Sequence, residues 1–187
     1  MGWGFLRWLA QRKKEWRRYE RNVYTLFQRY PTLIVEPGVT VKSPQRIELG
    51  PNVLIQTGSI LHGGGMAWSG GRGHIRLGEG VEVSPHCILY GAGGIDIGDH
   101  TVLGPGAKIL SQSEASTGSK LKGTDRLQFE PITIGKGCYI GAGAIILGGT
   151  ELGDECIVGT GAVVKGKYPA HTTLIGNPAR PLPRIPT

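Results

Sequence analysis

The sequence predicts an all-β solenoid of about five three-sided coils, with an α-helix before the first coil. Three observations predict it. The first is a six-residue aliphatic beat: Val35 and Val41; Leu49, Ile55 and Leu61; Leu77, Val83 and Leu89; Ile97, Leu103 and Ile109; Ile134, Ile140 and Ile146; Leu152, Val158 and Val164. The second is a companion row two residues earlier that sorts by threes. One side reads Ile47, Ile75, Ile95, Ile132, Thr150; the next reads Val53, Val81, Thr101, Cys138, Cys156; the last reads Ser59, Cys87, Ala107, Ala144, Ala162. Three hexapeptides therefore make one coil, and coils stacked at strand spacing bury a continuous aliphatic prism. The third is the phase of the breaks. Insertions of two, ten, two and nineteen residues follow Val41, Leu61, Leu89 and Ile109, all between the third side and the first. Such insertions gather on one face, often the binding face.

The elements follow in order. Residues 1–31 read as a basic amphipathic helix, with Trp16, Tyr19, Val23, Leu26, Phe27 and Tyr30 at three-and-four spacing and Pro31 at its end. Residues 32–168 form the solenoid, with loops 62–74 and 110–131 inserted at the loaded edge. Residues 169–187 form a Pro-rich tail that can finish the far end, as the helix can cap the near one.

Charge is segregated. Residues 1–30 hold eight Lys or Arg against two Glu, so they supply nearly all of the net +7. This points to a basic N-terminal segment rather than a nucleic-acid-binding surface. Trp3, Phe5, Trp8 and Leu9 beside those charges add an expectation of peripheral membrane contact through residues 1–30. No apolar run reaches membrane-span length, and Arg7, Arg12, Lys13 and Lys14 interrupt any signal-like stretch, so the expected location is the cytoplasm, at the inner face of a membrane. Cys87, Cys138 and Cys156 occupy inward positions as small core residues of a reducing compartment. There is no GxGxxG, GxSxG, CxxC or HExxH, so no dinucleotide fold, hydrolase elbow or metal site is expected.

At residues 132–180 the text ITIGKGCYIGAGAIILGGTELGDECIVGTGAVVKGKYPAHTTLIGNPAR resembles the hexapeptide-repeat acyltransferases, in their sugar O-acetyltransferase branch. The resemblance implies a left-handed parallel β-helix, a homotrimer, and acetyl-CoA as acyl donor in a groove between subunits. It implies that small outward residues, Ala142 and Thr160, let the backbone approach the pantetheine arm. It implies that Lys165, Lys167 or Arg180 meets the CoA phosphates, although the family's lysine position here is Gly166. It also implies a histidine base in the loop after Ile109. This loop has no histidine, and Glu114 stands at about that register, where burial would fit a carboxylate for the role.

The other large insertion holds His62 and His74. His62 follows Leu61 at the loaded edge, two coils below Ile109 or about 10 Å away, a gap that a neighbouring subunit can close. Glu114 and His62 are thus the candidate bases. Trp68, able to stack on a sugar face, together with His74 and Tyr90, are the candidate substrate contacts. The expected activity is CoA-dependent acetyl transfer to a sugar hydroxyl or amine, on a small or lipid-linked saccharide, possible in cell-surface polysaccharide synthesis. The competing expectation is a trimeric scaffold or binding protein that keeps the fold without the histidine.

Overall fold

A computed structural model describes residues 20–114 and 127–183. The chain winds through three parallel sheets in fixed rotation. The first sheet stacks Ile47–Leu49, Ile75–Leu77, Ile95–Ile97, Ile132–Ile134, Glu151–Leu152 and Lys167–Tyr168. The second carries Ile34–Val35, Leu54–Ile55, Glu82–Val83, Val102–Leu103, Tyr139–Ile140, Ile157–Val158 and Thr173–Gly176. The third stacks Thr40–Lys42, Ile60–His62, Ile88–Tyr90, Lys108–Leu110, Ile145–Leu147 and Val163–Val164.

Each strand pairs in parallel with the strand one circuit on, and the beat residues are the register partners: Leu61 with Leu89, Leu103 with Ile140, Ile109 with Ile146. Strands of two or three residues cannot stand alone, so burial has to hold them. Both inward rows are buried: Ile55, Leu61, Leu89, Leu103, Ile109, Ile140 and Ile146 of the beat have no exposed surface. In the companion row the polar members find partners, Ser59 Oγ donating to Ser84 O at 3.0 Å and Thr101 Oγ1 to Gly135 O at 2.8 Å. The cysteines are buried too, and burial pushes the Cys87 and Cys138 thiols up to about 11, which suits packing rather than nucleophilic chemistry.

The solenoid does not stop at residue 168. Tyr168 pairs with Leu152, Leu174 pairs with Val158, and Leu174 is fully buried. Tyr168 to Leu174 is again six residues, but Val164 to Tyr168 is only four. A two-residue deletion at the third-to-first edge hid this last circuit from the beat. Ala179–Pro181 then folds back antiparallel on Thr173–Gly176 and covers that edge of the second sheet.

At the near end, the described part of the helix spans residues 20–29. Leu26 is fully buried and Val23 and Tyr30 pack on the core, whereas Phe27, at the same helical spacing, is 39% exposed. Three side chains satisfy carbonyls of the first circuit. Asn22 Nδ2 donates to Val41 O at 2.8 Å, Arg29 Nη1 to Pro44 O at 3.0 Å and Tyr30 Oη to Ile47 O at 3.1 Å. A strand edge that would otherwise template pairing is thereby closed.

All long connections leave at the third-to-first edge. Residues 63–74 include a 3-10 turn at Ala67–Ser69, and the segment after Leu110 forms a hairpin, Gln112–Glu114 against Leu127–Phe129. At the other corners single turns stack closely. His86 and His100 hold left-handed turn positions there, at φ 60° and 56°.

Ile140→Ala, at a fully buried beat position, is expected to cost about 2–5 kcal/mol in urea unfolding. Lys108→Ala, whose side chain stands on the outer face one residue before Ile109, is expected to cost under about 0.5 kcal/mol. Equal effects at the two positions would contradict the inward register.

Candidate active site

The loaded edge is organised by the turn at residues 91–94. Gly91 N donates to His62 O at 2.9 Å, and Gly91 O accepts from His74 N at 3.0 Å. Ser111 Oγ donates to Tyr90 O at 2.7 Å and accepts from Gly93 N at 2.9 Å, while Glu130 N donates to Ser111 O at 3.1 Å. One short turn therefore fixes both ends of the first long loop and the root of the hairpin. Gly93 is required for this approach, because a Cβ there would collide with Ser111 O and lie 2.8 Å from Glu130 N.

His62 closes its strand, with Lys42 and Tyr90 as register partners one circuit either way. It is 8% exposed, and its ring meets Tyr90 edge-on, at 5.8 Å between centroids and 86° between planes. Burial, then the Lys42 charge, holds its pKa below the usual 6.5. A neutral imidazole at neutral pH results. The residue is a packed corner histidine rather than the lining of an open cleft.

His74 opens the next strand and lies outside the prism. Its Nε2 is 3.0 Å from Asp96 Oδ2, and Arg76 Nη1 donates to Asp96 Oδ1 at 3.2 Å. Arg76 Nε in turn donates to Glu48 Oε2 at 2.9 Å. These groups line the outer face of the first sheet, where Glu48, Arg76 and Asp96 are successive register partners. The two carboxylates at Arg76 keep its guanidinium pKa above the ordinary value. Nε2 also lies 3.2 Å from Arg76 Nη1, so a proton on Nε2 suits the Asp96 carboxylate and a lone pair there suits the Arg76 guanidinium. The imidazole and Asp96 side chains are 30% and 37% exposed, open enough to meet a substrate.

Glu114 lies on the first strand of the hairpin, opposite Leu127, and is exposed. The buried setting expected of a carboxylate base is not there, because the hairpin carries Glu114 away from the prism. Gln112, two residues earlier, places Oε1 in a buried position with no hydrogen-bond partner among the described residues. Trp68 lies in the Ala67–Ser69 turn, and its side chain is outside the described residues.

The proposed CoA contacts fall elsewhere. Ala142 and Thr160 occupy consecutive turns at the second-to-third edge, tied by Gly161 N donating to Ala142 O at 2.9 Å. Beside them, Gly106, Gly143 and Gly161 form a column where an added Cβ would meet nothing within 4 Å. The glycine backbone of that column is open to solvent, between the exposed side chains of Pro105 and Thr160. Lys165 stands at the loaded edge instead, 2.9 Å from Glu130 Oε2, and Lys167 on the first sheet, 2.7 Å from Glu151 Oε1. Arg180 is exposed on the returning strand and donates through Nη1 to Ala179 O at 2.9 Å. The ten residues singled out in the sequence are thus split between two edges and the far end, and the two lysines already face carboxylates. Among the described residues, no group of three His, Cys, Asp or Glu is placed to hold a metal ion.

The model for the hexapeptide repeat of succinyl-transferase matches residues 131–165. The match covers 35 of the 187 residues and lies within the coils that carry the six-residue beat. Nodulation protein L of Rhizobium leguminosarum bv. viciae is 37% identical over 107 residues, which cover 57% of this chain and 56% of that protein. A putative acetyltransferase of Dictyostelium discoideum is 36% identical over 117 residues, covering 60% of this chain and 59% of it. The chain thus spans little more than half the length of these curated relatives. Among solved structures, AntD, an N-acyltransferase from Bacillus cereus in complex with dTDP and 3-hydroxybutyryl-CoA, has a TM-score of 0.69 at 21% identity, covering 81% of this chain and 79% of that one. A maltose O-acetyltransferase from Clostridium difficile 630 has a TM-score of 0.54 at 23% identity, covering 83% and 67%. Both likenesses are of fold.

Sequence reasoning passed over Asp96 and Arg76. Each sits between two inward residues, as the outward member of Ile95–Ile97 and Ile75–Leu77. Stacking the first-side hexapeptides by register would have brought them beside His74.

The His62 environment gives a pH dependence with a definite sign. Its folded pKa lies below 6.5, so the unfolded chain takes up a proton that the folded chain resists. Its contribution to stability is therefore full above pH 6.5 and declines as pH falls below that value. In urea unfolding between pH 5 and 8, His62→Gln is expected to lose stability more gently on acidification than the wild type. Parallel curves would contradict the buried placement.

Proposed function

We propose that the protein is a CoA-dependent acetyltransferase acting on a hydroxyl or amine of a saccharide. The observation that carries this is the division of the molecule into two complementary edges. One carries a column of glycines whose open backbone suits an amide-rich pantetheine arm. The other holds an imidazole oriented by a carboxylate. The relatives support the class: nodulation protein L and a putative acetyltransferase in sequence, and in fold an N-acyltransferase seen with dTDP and an acyl-CoA.

In this reading the tautomer with its proton on Nε2, toward Asp96, leaves His74 Nδ1 as base. It takes the proton of the acceptor as the oxygen or nitrogen attacks the thioester carbonyl, and Asp96 stabilises the imidazolium that forms. Collapse of the tetrahedral intermediate breaks the C–S bond, and the imidazolium returns the proton to the CoA thiolate. Holding thioester and acceptor in line supplies much of the rate.

The two edges lie on different corners, so one chain does not close the site. A homotrimer does so, with a left-handed coil setting the furrow of one copy against the loaded edge of the next. Tyr139, Ile157 and Ile175 support self-association, since they leave an apolar patch on the outer second sheet, 45–48% exposed. The location that fits CoA as donor and reduced cysteines is the cytoplasm, toward the inner face of a membrane. The paired lysines favour the second reading, a scaffold without transfer, because their charges are already compensated.

Isothermal titration is expected to show acetyl-CoA binding at about 1 mM or tighter. A thiol-release assay over a saccharide panel is expected to show turnover that His74→Ala lowers by about 10²–10⁴-fold, with Asp96→Asn lowering it less and Glu114→Gln within about twofold. No binding at millimolar acetyl-CoA would sink the proposal. Binding without transfer to any acceptor would leave the scaffold.

A further inference from the structure

The cap at the first circuit is only half used. One face of the helix at residues 20–29 is fastened to the prism through Asn22, Leu26, Arg29 and Tyr30. The other presents Tyr24, 60% exposed, and Phe27, 39% exposed. These two lie three residues apart and so share a face. They flank a groove of about 490 Å³ between the helix and the first circuit, whose floor and walls also include Val23, Val35, Pro37 and Val39. Glu20 and Glu36 stand at its margin, but Glu36 Oε2 is engaged, accepting from Thr57 N at 2.9 Å.

Apolar surface of this kind needs an occupant, and the charge distribution selects one. Residues 1–30 carry +6 of the chain's +7, and residues 31–187 are close to neutral. We infer that this end of the molecule docks on an anionic lipid bilayer, with Tyr24 and Phe27 entering the headgroup–acyl boundary. Aromatic side chains favour that boundary, and basic residues next to it are attracted by anionic headgroups within a Debye length. A nucleic acid would use the same charge but not the apolar groove. Among the described residues no helix is long and apolar enough to cross a membrane, so the mode is contact from one side.

The docking face lies at the first circuit, and the turn at residues 91–94 that organises the loaded edge belongs to the third. The inference therefore does not depend on acetyl transfer.

The test uses the full chain with extruded vesicles of pure phosphatidylcholine and of phosphatidylcholine with 30 mol% phosphatidylglycerol, read by co-sedimentation. Strong binding to the anionic vesicles is expected, at least tenfold weaker binding to the neutral ones, and release as salt is raised. Tyr24→Ser with Phe27→Ser is expected to weaken binding at least tenfold while circular dichroism and the thermal midpoint stay near wild type. Hydrogen exchange over residues 20–40 should slow when anionic vesicles are added. No binding to anionic vesicles overturns the inference. So does binding that the double variant leaves unchanged, which would assign it to the basic segment alone. Slow exchange over residues 20–40 that vesicles do not alter would mean that residues 1–19 fill the groove. A double variant that lowers the sedimenting mass without lipid would mean that a second copy fills it. RNA binding that the double variant weakens in parallel, with none to vesicles, would replace lipid by nucleic acid. Each of these three outcomes also overturns the inference.

Discussion

Everything in this molecule depends on backbone hydrogen bonds that join each strand to the next circuit without lateral slip. A strand of two residues, such as Ile34–Val35 or Val102–Leu103, makes too few bonds to hold a register by itself. The register is held because a slip of one residue would turn Ile55, Val83, Leu103 and Ile140 out of the prism together. The period of six, the inward rows and the alignment of corners are three views of that one constraint.

The same constraint decides where the chain can carry anything else. At the corner between the first and second sheets, Gly98 lies so close to the next circuit that an added Cβ would come within 2.7 Å of Gly135 C. At the next corner, one added at Gly104 would come within 2.8 Å of Ala142 N. Turns stacked that tightly accept no insertion. The third corner accepts all of them, and one contraction as well, between Val164 and Tyr168. The long loops therefore collect at one edge, while the corner next to it carries the column of Gly106, Gly143 and Gly161. The proposed division of labour, donor on one edge and acceptor on the other, follows from how the coils stack.

What was legible in the sequence was what repeats. The beat and its companion row name the buried residues, because each side chain's direction depends only on its place in the hexapeptide. The last circuit was less legible, since its inward residue is Tyr168 rather than an aliphatic and the spacing before it is four. The loop-bearing edge was legible from the breaks, but the side-chain pairs on it were not. His74 and Asp96 are 22 residues apart, and only the register of the first sheet brings them to 3.0 Å. Glu114 misled for the opposite reason: its position along the chain matches the missing histidine, but the hairpin lifts it into solvent. His62 sits at the edge as expected, buried edge-on against Tyr90, its register partner one circuit on. Lys165 and Lys167 looked free in one dimension and meet Glu130 and Glu151 in three.

The central claim is that acetyl-CoA engages two edges at once, one from each of two copies. Amide hydrogen exchange with and without acetyl-CoA tests it most directly. Protection is expected in the turns around Gly106, Gly143 and Gly161 and in the turn at residues 91–94, with the strands between them unchanged. Protection at neither edge, or only at the helix end of the solenoid, would contradict it.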